Sequence, residues 1–130
     1  MFLKSTIFTS LFLSFLAVPA MADRVEGVWK SKPDRNGLVV HVRARSCGAK
    51  LCGLVERAKD RRGYDKRSNA VGRRMFWDLQ EQPDGTYVGK YWEPYRGRTL
   101  DTRIKVQGND LQLETCDENG CENVIWTRLK

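Results

Sequence analysis

Few side chains in this sequence are chemically versatile, and their placement limits what they can do. The single histidine, His41, lies on a run that alternates apolar and polar residues, beside Arg43 and Arg45, whose charges disfavour a protonated imidazole. Beyond the leader described below, Ser31, Ser46 and Ser68 have no base close in sequence and sit in no Ser-centred elbow. Asp78, Glu93 and Asp101 could converge in space, but ordinary surface carboxylates explain them as well. No catalytic set emerges, so an enzyme is not expected. One histidine and cysteines expected to be oxidised leave no basis for a transition-metal site, and no cofactor is implied.

The four cysteines fall in two pairs of equal spacing, Cys47 with Cys52 and Cys116 with Cys121. Four cysteines allow three connectivities, of which two local bridges are the simplest. A zinc site built from both pairs is the competing reading. Thiolate zinc sites favour closer spacing and reducing surroundings, which argues against it.

Two further groups could bind a ligand. Residues 57–74 carry eight Lys and Arg against two Asp, with Tyr64 among them. There Arg61, Arg62, Lys66 and Arg67 are the candidates for gripping an anionic envelope component, a surface, a glycan or a protein. Nucleic acid is the least suited partner, because export removes the usual target and a single aromatic is interleaved. The second group is aromatic. Trp77, Tyr87 and Tyr91 are candidates to line a cavity for a small, partly apolar molecule, with Gly53 and Gly89 expected to leave room inside. The simpler reading of these residues is that the aromatics fill a core and the glycines mark bends.

The elements that must position these groups follow from the pattern along the chain. Residues 1–22 read as a cleavable secretory signal: Lys4 gives the positive start, Ile7 to Val18 the apolar stretch, and Ala20-Met21-Ala22 the small-x-small site. The apolar stretch is too short for a bilayer span, and cutting after Ala22 leaves a chain that starts at Asp23 with no membrane span. That places the protein in the periplasm or outside the cell. Residues 23–130 suit one domain. They hold 22 Lys and Arg against 16 Asp and Glu, so the segment 57–74 accounts for the whole excess and the remainder is neutral.

Eight strands are expected: Val25 to Lys32, Leu38 to Arg45, Lys50 to Ala58, a strand from Arg73 to the turn at Gln82, Thr86 to Glu93, Arg98 to Val106, Leu111 to Cys116, and Glu122 to Leu129. Lys59 to Gly72 has neither period and is the one long excursion, and such loops in compact domains are usually functional or disordered. Met75, Trp77 and Leu79 fall on one face of the fourth strand. The fifth does not alternate in polarity, so its buried face is not assigned. Eight strands joined by short turns most economically close into an all-β, antiparallel, up-and-down barrel, with an open two-sheet sandwich as the alternative. In a closed barrel the first and last strands are neighbours. Trp29 and Arg128 can then stack, Gly27 permitting close approach, and plug one end.

Gly27-x-Trp29 on the first strand and Trp126-Thr127-Arg128 on the last resemble the signature of lipocalin-like, or calycin, barrels. More closely, the chain resembles the DUF2147 family of small exported bacterial proteins. The resemblance rests on Gly27-x-Trp29, Cys52-Gly53, the Asp65 to Asn69 loop followed by Gly72, Gly89-Lys90, Trp92-Glu93-Pro94-x-x-Gly97, Cys116, Cys121 and Trp126-Thr127-Arg128. It implies a lipocalin-like barrel and an exported location, but no chemistry. The chain departs from the family pattern in its more basic loop and in Trp92. The function expected is non-enzymatic binding of a small, partly apolar ligand in the periplasm, the alternative being an envelope module acting through residues 57–74. Nothing in the sequence bears on oligomeric state.

Overall fold

The computed structural model describes residue 14 and residues 24–129. The signal segment and its cleavage site lie outside the described residues. The rest forms eight strands: β1 Gly27–Lys30, β2 Val39–Cys47, β3 Lys50–Lys59, β4 Arg74–Glu81, β5 Tyr87–Glu93, β6 Arg98–Gln107, β7 Asp110–Asp117 and β8 Gly120–Leu129. Each pairs antiparallel with the next, and β8 pairs back with β1 to close a barrel. Closure leaves no sheet edge open, which settles the choice against a sandwich.

Every boundary lies within a residue or two of the pattern-based expectation. β1 is the most shortened. Val25 lies ahead of it, where its carbonyl oxygen accepts a 2.7 Å hydrogen bond from Trp29 Nε1. In β6 the alternation is complete, with Leu100, Thr102, Ile104 and Val106 buried and the residues between them exposed or partly so. The two disulfides join Cys47 to Cys52 and Cys116 to Cys121, at Cα separations of 5.8 and 4.1 Å. Each staples one hairpin.

The barrel ends differ. One carries the short turns β2–β3, β4–β5 and β6–β7 together with the chain entering β1. Trp29 is fully buried there, and the Arg128 guanidinium lies 4.2 Å from its ring centre. Nη1 and Nη2 of Arg128 donate to the carbonyl oxygens of Glu26 and Arg24, at 2.9 and 2.8 Å. Leu79, Ile104 and Leu111 are also buried to 1 % or less. The other end carries the β1–β2 loop, the long β3–β4 connection (residues 60–73), the β5–β6 turn and the β7–β8 turn.

That long connection is an ordered flap. A bridge between Lys59 and Asp65 prolongs β3, and Asp60 closes the tip by accepting hydrogen bonds from the Arg62 and Tyr64 amides. On the return, Lys66 N donates to Ala58 O, Gly72 N to Val55 O, and Val55 N to Arg73 O, while Ala70 is fully buried in the core.

Candidate functional site

At the flap end the barrel is hollow. A cavity of about 210 Å³ is walled by Leu38 and Val40 from the first hairpin, Met75 from β4, Tyr91 from β5, Leu113 from β7, and Val124 and Trp126 from β8. Ser31, Thr115 and Glu122 add polar atoms towards the rim, and Lys32, Asp34, Arg35, Glu93 and Tyr95 frame the opening. The hollow follows from residue size. At the plug end the interior receives Trp29, Ile104 and Leu111, whereas at the flap end the residue after β1 and strands β2, β7 and β8 supply Ser31, Val40, Thr115 and Val124.

Tyr91 is the polar handle of this chamber. Its ring packs 6.3 Å from that of Trp126, and burial, with a smaller contribution from Glu93, holds its phenol well above the usual tyrosine range, so it stays protonated. Among the described residues its hydroxyl has no protein partner. It is not sealed away either, because Glu26 Oε2 is the one fully enclosed side-chain oxygen or nitrogen among them that lacks a partner. A donor facing an apolar cavity is the arrangement small-molecule sites use to orient a ligand.

The rim charges are largely committed to each other. Asp34 Oδ1 accepts from the Asn36 and Leu38 amides at 2.8 and 2.9 Å. Buried Glu93 is paired with Arg98 at 3.0 Å and Arg96 at 3.4 Å, and Arg98 also reaches Asp117. Arg35 and Arg96 flank the Tyr95 ring, with guanidinium carbons 5.5 and 5.0 Å from its centre. Outside this chamber, and sharing Asp34, Leu38, Pro94 and Tyr95 with it, is a second recess of about 320 Å³. Its far wall is the flap: Lys66, Arg67, Ser68 and Asn69.

The expected ligand-binding trio does not come together. Tyr91 lines the chamber, but Tyr87 lies in a recess at the plug end with Arg24, Glu26 and Leu51, and Trp77 lines neither. Tyr87 and Tyr91 are four residues apart on β5, about 13 Å along the strand, and so lie towards opposite ends. Trp77 is turned away by breaks in the β4 alternation: Asp78 takes φ 53°, the β4–β5 register shifts between Trp77 and Gln80, and the β3–β4 register shifts between Gly53 and Leu54. Phe76 is therefore the fully buried aromatic of β4, while Trp77 packs only partly against the core. Gly53 and Gly89 do not leave room. A Cβ on Gly53 would collide with the Phe76 ring, and one on Gly89 with the Trp77 carbonyl and Leu79. They are places where a neighbour has already moved in.

Sequence reasoning missed Trp126, Leu113 and Val124 as chamber walls. The signal was available for β8, since Glu122, Val124, Trp126 and Arg128 alternate on the face that meets the barrel axis. In the basic segment Arg61, Arg62, Lys66 and Arg67 are all exposed. Arg61 lies over Gly37 of the β1–β2 loop, and Tyr64 is 68 % exposed. Glu114 lies within ligand distance of the sulfurs of Cys116 and Cys121, but those sulfurs are joined in a disulfide and offer no thiolate. His41 pairs across strands with Lys30 and Arg57. Burial, then Lys59, Lys30 and Arg57, hold its pKa below the usual value, and it lines none of these recesses.

No curated protein matches the chain. Among solved structures, HP1028 from the human pathogen Helicobacter pylori, described as belonging to the lipocalin family, is similar with a TM-score of 0.64 and 18 % identity. The match covers 82 % of this chain and 84 % of that one, and at that identity the likeness is one of fold. The model of the family described as an uncharacterized protein conserved in bacteria, DUF2147, matches residues 27–128, from the first residue of β1 to the last but one of β8, and the chain belongs to that family.

Proposed function

We propose that this is a non-enzymatic binding protein of the bacterial periplasm, which holds a small, partly apolar molecule in the flap-end chamber. The observation that carries the reading is the Tyr91 hydroxyl, unpartnered among the described residues and open to a cavity otherwise walled by Leu38, Val40, Met75, Leu113, Val124 and Trp126. The lipocalin-like fold supports the same reading, because eight strands enclose an interior just wide enough for one small ligand. Export is supported by the two disulfides, which persist in oxidising compartments.

Native mass spectrometry of protein released from the periplasm tests the proposal. The expected spectrum shows a chain beginning at Asp23 with the added mass of one bound small molecule. Val124→Trp, which places an indole at the chamber's open side, should lose that mass while melting normally. Bare wild-type protein, or a bound mass that survives Val124→Trp, would remove the chamber as the site.

A further inference from the structure

The inner chamber is too small to be the whole site. At about 210 Å³ it falls below the roughly 300–1,000 Å³ of pockets that enclose a drug-sized ligand, and it enters that range only together with the outer recess of about 320 Å³. The two share the sill formed by Asp34, Leu38, Pro94 and Tyr95, so a ligand seated in the first extends into the second. The two halves differ chemically. The inner half is apolar, whereas the outer half presents Lys66 and Arg67, neither of them in an ion pair among the described residues. Of the carboxylates around them, Asp65 is paired with Lys59, Asp34 accepts from two backbone amides, and Glu93 at the chamber rim is held by Arg96 and Arg98. Glu122 is the exposed carboxylate on the chamber side.

Resting on the chamber as the binding site, we infer that the ligand is a short single-chain amphiphile with an anionic head, its tail in the chamber and its carboxylate or phosphate against Lys66 and Arg67. Tail length is limited by the chamber's size and its floor: at about 210 Å³ it is smaller than pockets that enclose drug-sized ligands. A short tail fills it, and a long one cannot run deeper, because Trp29, Ile104 and Leu111 pack the barrel below it.

Calorimetric titration of the mature protein with octanoate, octyl phosphate, 1-octanol and octyltrimethylammonium tests this. Octanoate and octyl phosphate should bind at least tenfold tighter than octanol, with the margin shrinking as salt is added. The double variant Lys66→Gln/Arg67→Gln should bring that ratio close to one by weakening binding of the two anions. Hexadecanoate should bind no tighter than octanoate. Whichever of octanoate and octyl phosphate binds more tightly names the head group, and either order supports the class. Octanol matching the anions, the cationic probe winning, or an anion preference that survives the double variant would overturn the head-group assignment with the chamber intact. Failure of all four probes, or undiminished binding by Val124→Trp, would instead overturn the chamber reading beneath it.

Discussion

Arg128 is held by several contacts at once, and that concentration makes it the most informative single residue in the barrel. Its guanidinium covers the Trp29 ring and donates to the carbonyl oxygens of Arg24 and Glu26. A cation over an indole contributes about 0.5–2 kcal/mol, and hydrogen bonds from a charged donor about 1.5–3 kcal/mol each, partly offset by water in the variant. Arg128→Ala should cost about 2–4 kcal/mol. At roughly 4–8 °C per kcal/mol for a domain of this size, its thermal transition should fall by about 10 °C or more. An unchanged melting curve would show that the plug carries no stability. Gly27 is its silent partner. It sits at φ 129°, and a Cβ there would lie 2.7 Å from Arg128 Nη1. Gly27→Ala should therefore destabilise through both backbone strain and the clash; in the Arg128→Ala background only the strain remains, and a double-mutant cycle measures the difference.

At the scale of elements, the flap shows where composition stops being informative. Its charge and turn formers marked it as an excursion, but its order comes from backbone bonds to β3 and from one small buried side chain, Ala70. Composition encodes neither. The tip depends on Asp60, whose carboxylate accepts from two amides within the turn. Asp60→Ala should raise amide exchange at Arg62 and Tyr64 while the protection of β6 and β7 stays as it was, since flap opening is local. Equal acceleration everywhere would mean that the flap and barrel open together. The strands were far more legible than the cavity. Alternation placed β2 and β6 correctly because each keeps one face to the interior. It failed on β4, where the bulge at Asp78 exchanged Phe76 for Trp77, and it stayed silent on β5. There Trp92 follows inward-facing Tyr91 and is covered from outside by the Arg73 guanidinium, 3.7 Å from its ring centre, so both faces read as apolar. A cavity is the difference between side chains present and space available, and it becomes visible only once register is known.

Over the whole molecule the charge is unbalanced, and protonation can only worsen it. The chain carries a formal +7 with its histidine neutral, and each group that gains a proton adds to the repulsion. The groups whose pKa values are lowered push the same way. Hydrogen bonds from Lys59, from Thr86 and from the Asn119 amide are the leading causes that hold Asp65, Asp84 and Asp117 below the ordinary aspartate value. Their folded pKa is depressed, so what they contribute is present above the unfolded value near 3.8 and lost as pH falls through the folded one. His41 is also depressed, by burial first and then by Lys59, Lys30 and Arg57, with Glu56 opposing weakly. The unfolded chain therefore binds its proton more readily, and stability is lost as pH falls from 6.5 through the folded pKa. Two separate acid limbs should appear in thermal melts, one below pH 6.5 and one below about pH 4. His41→Gln should flatten the first and leave the second in place. A first limb that persists in that variant would overturn its assignment to His41, the single histidine of the chain.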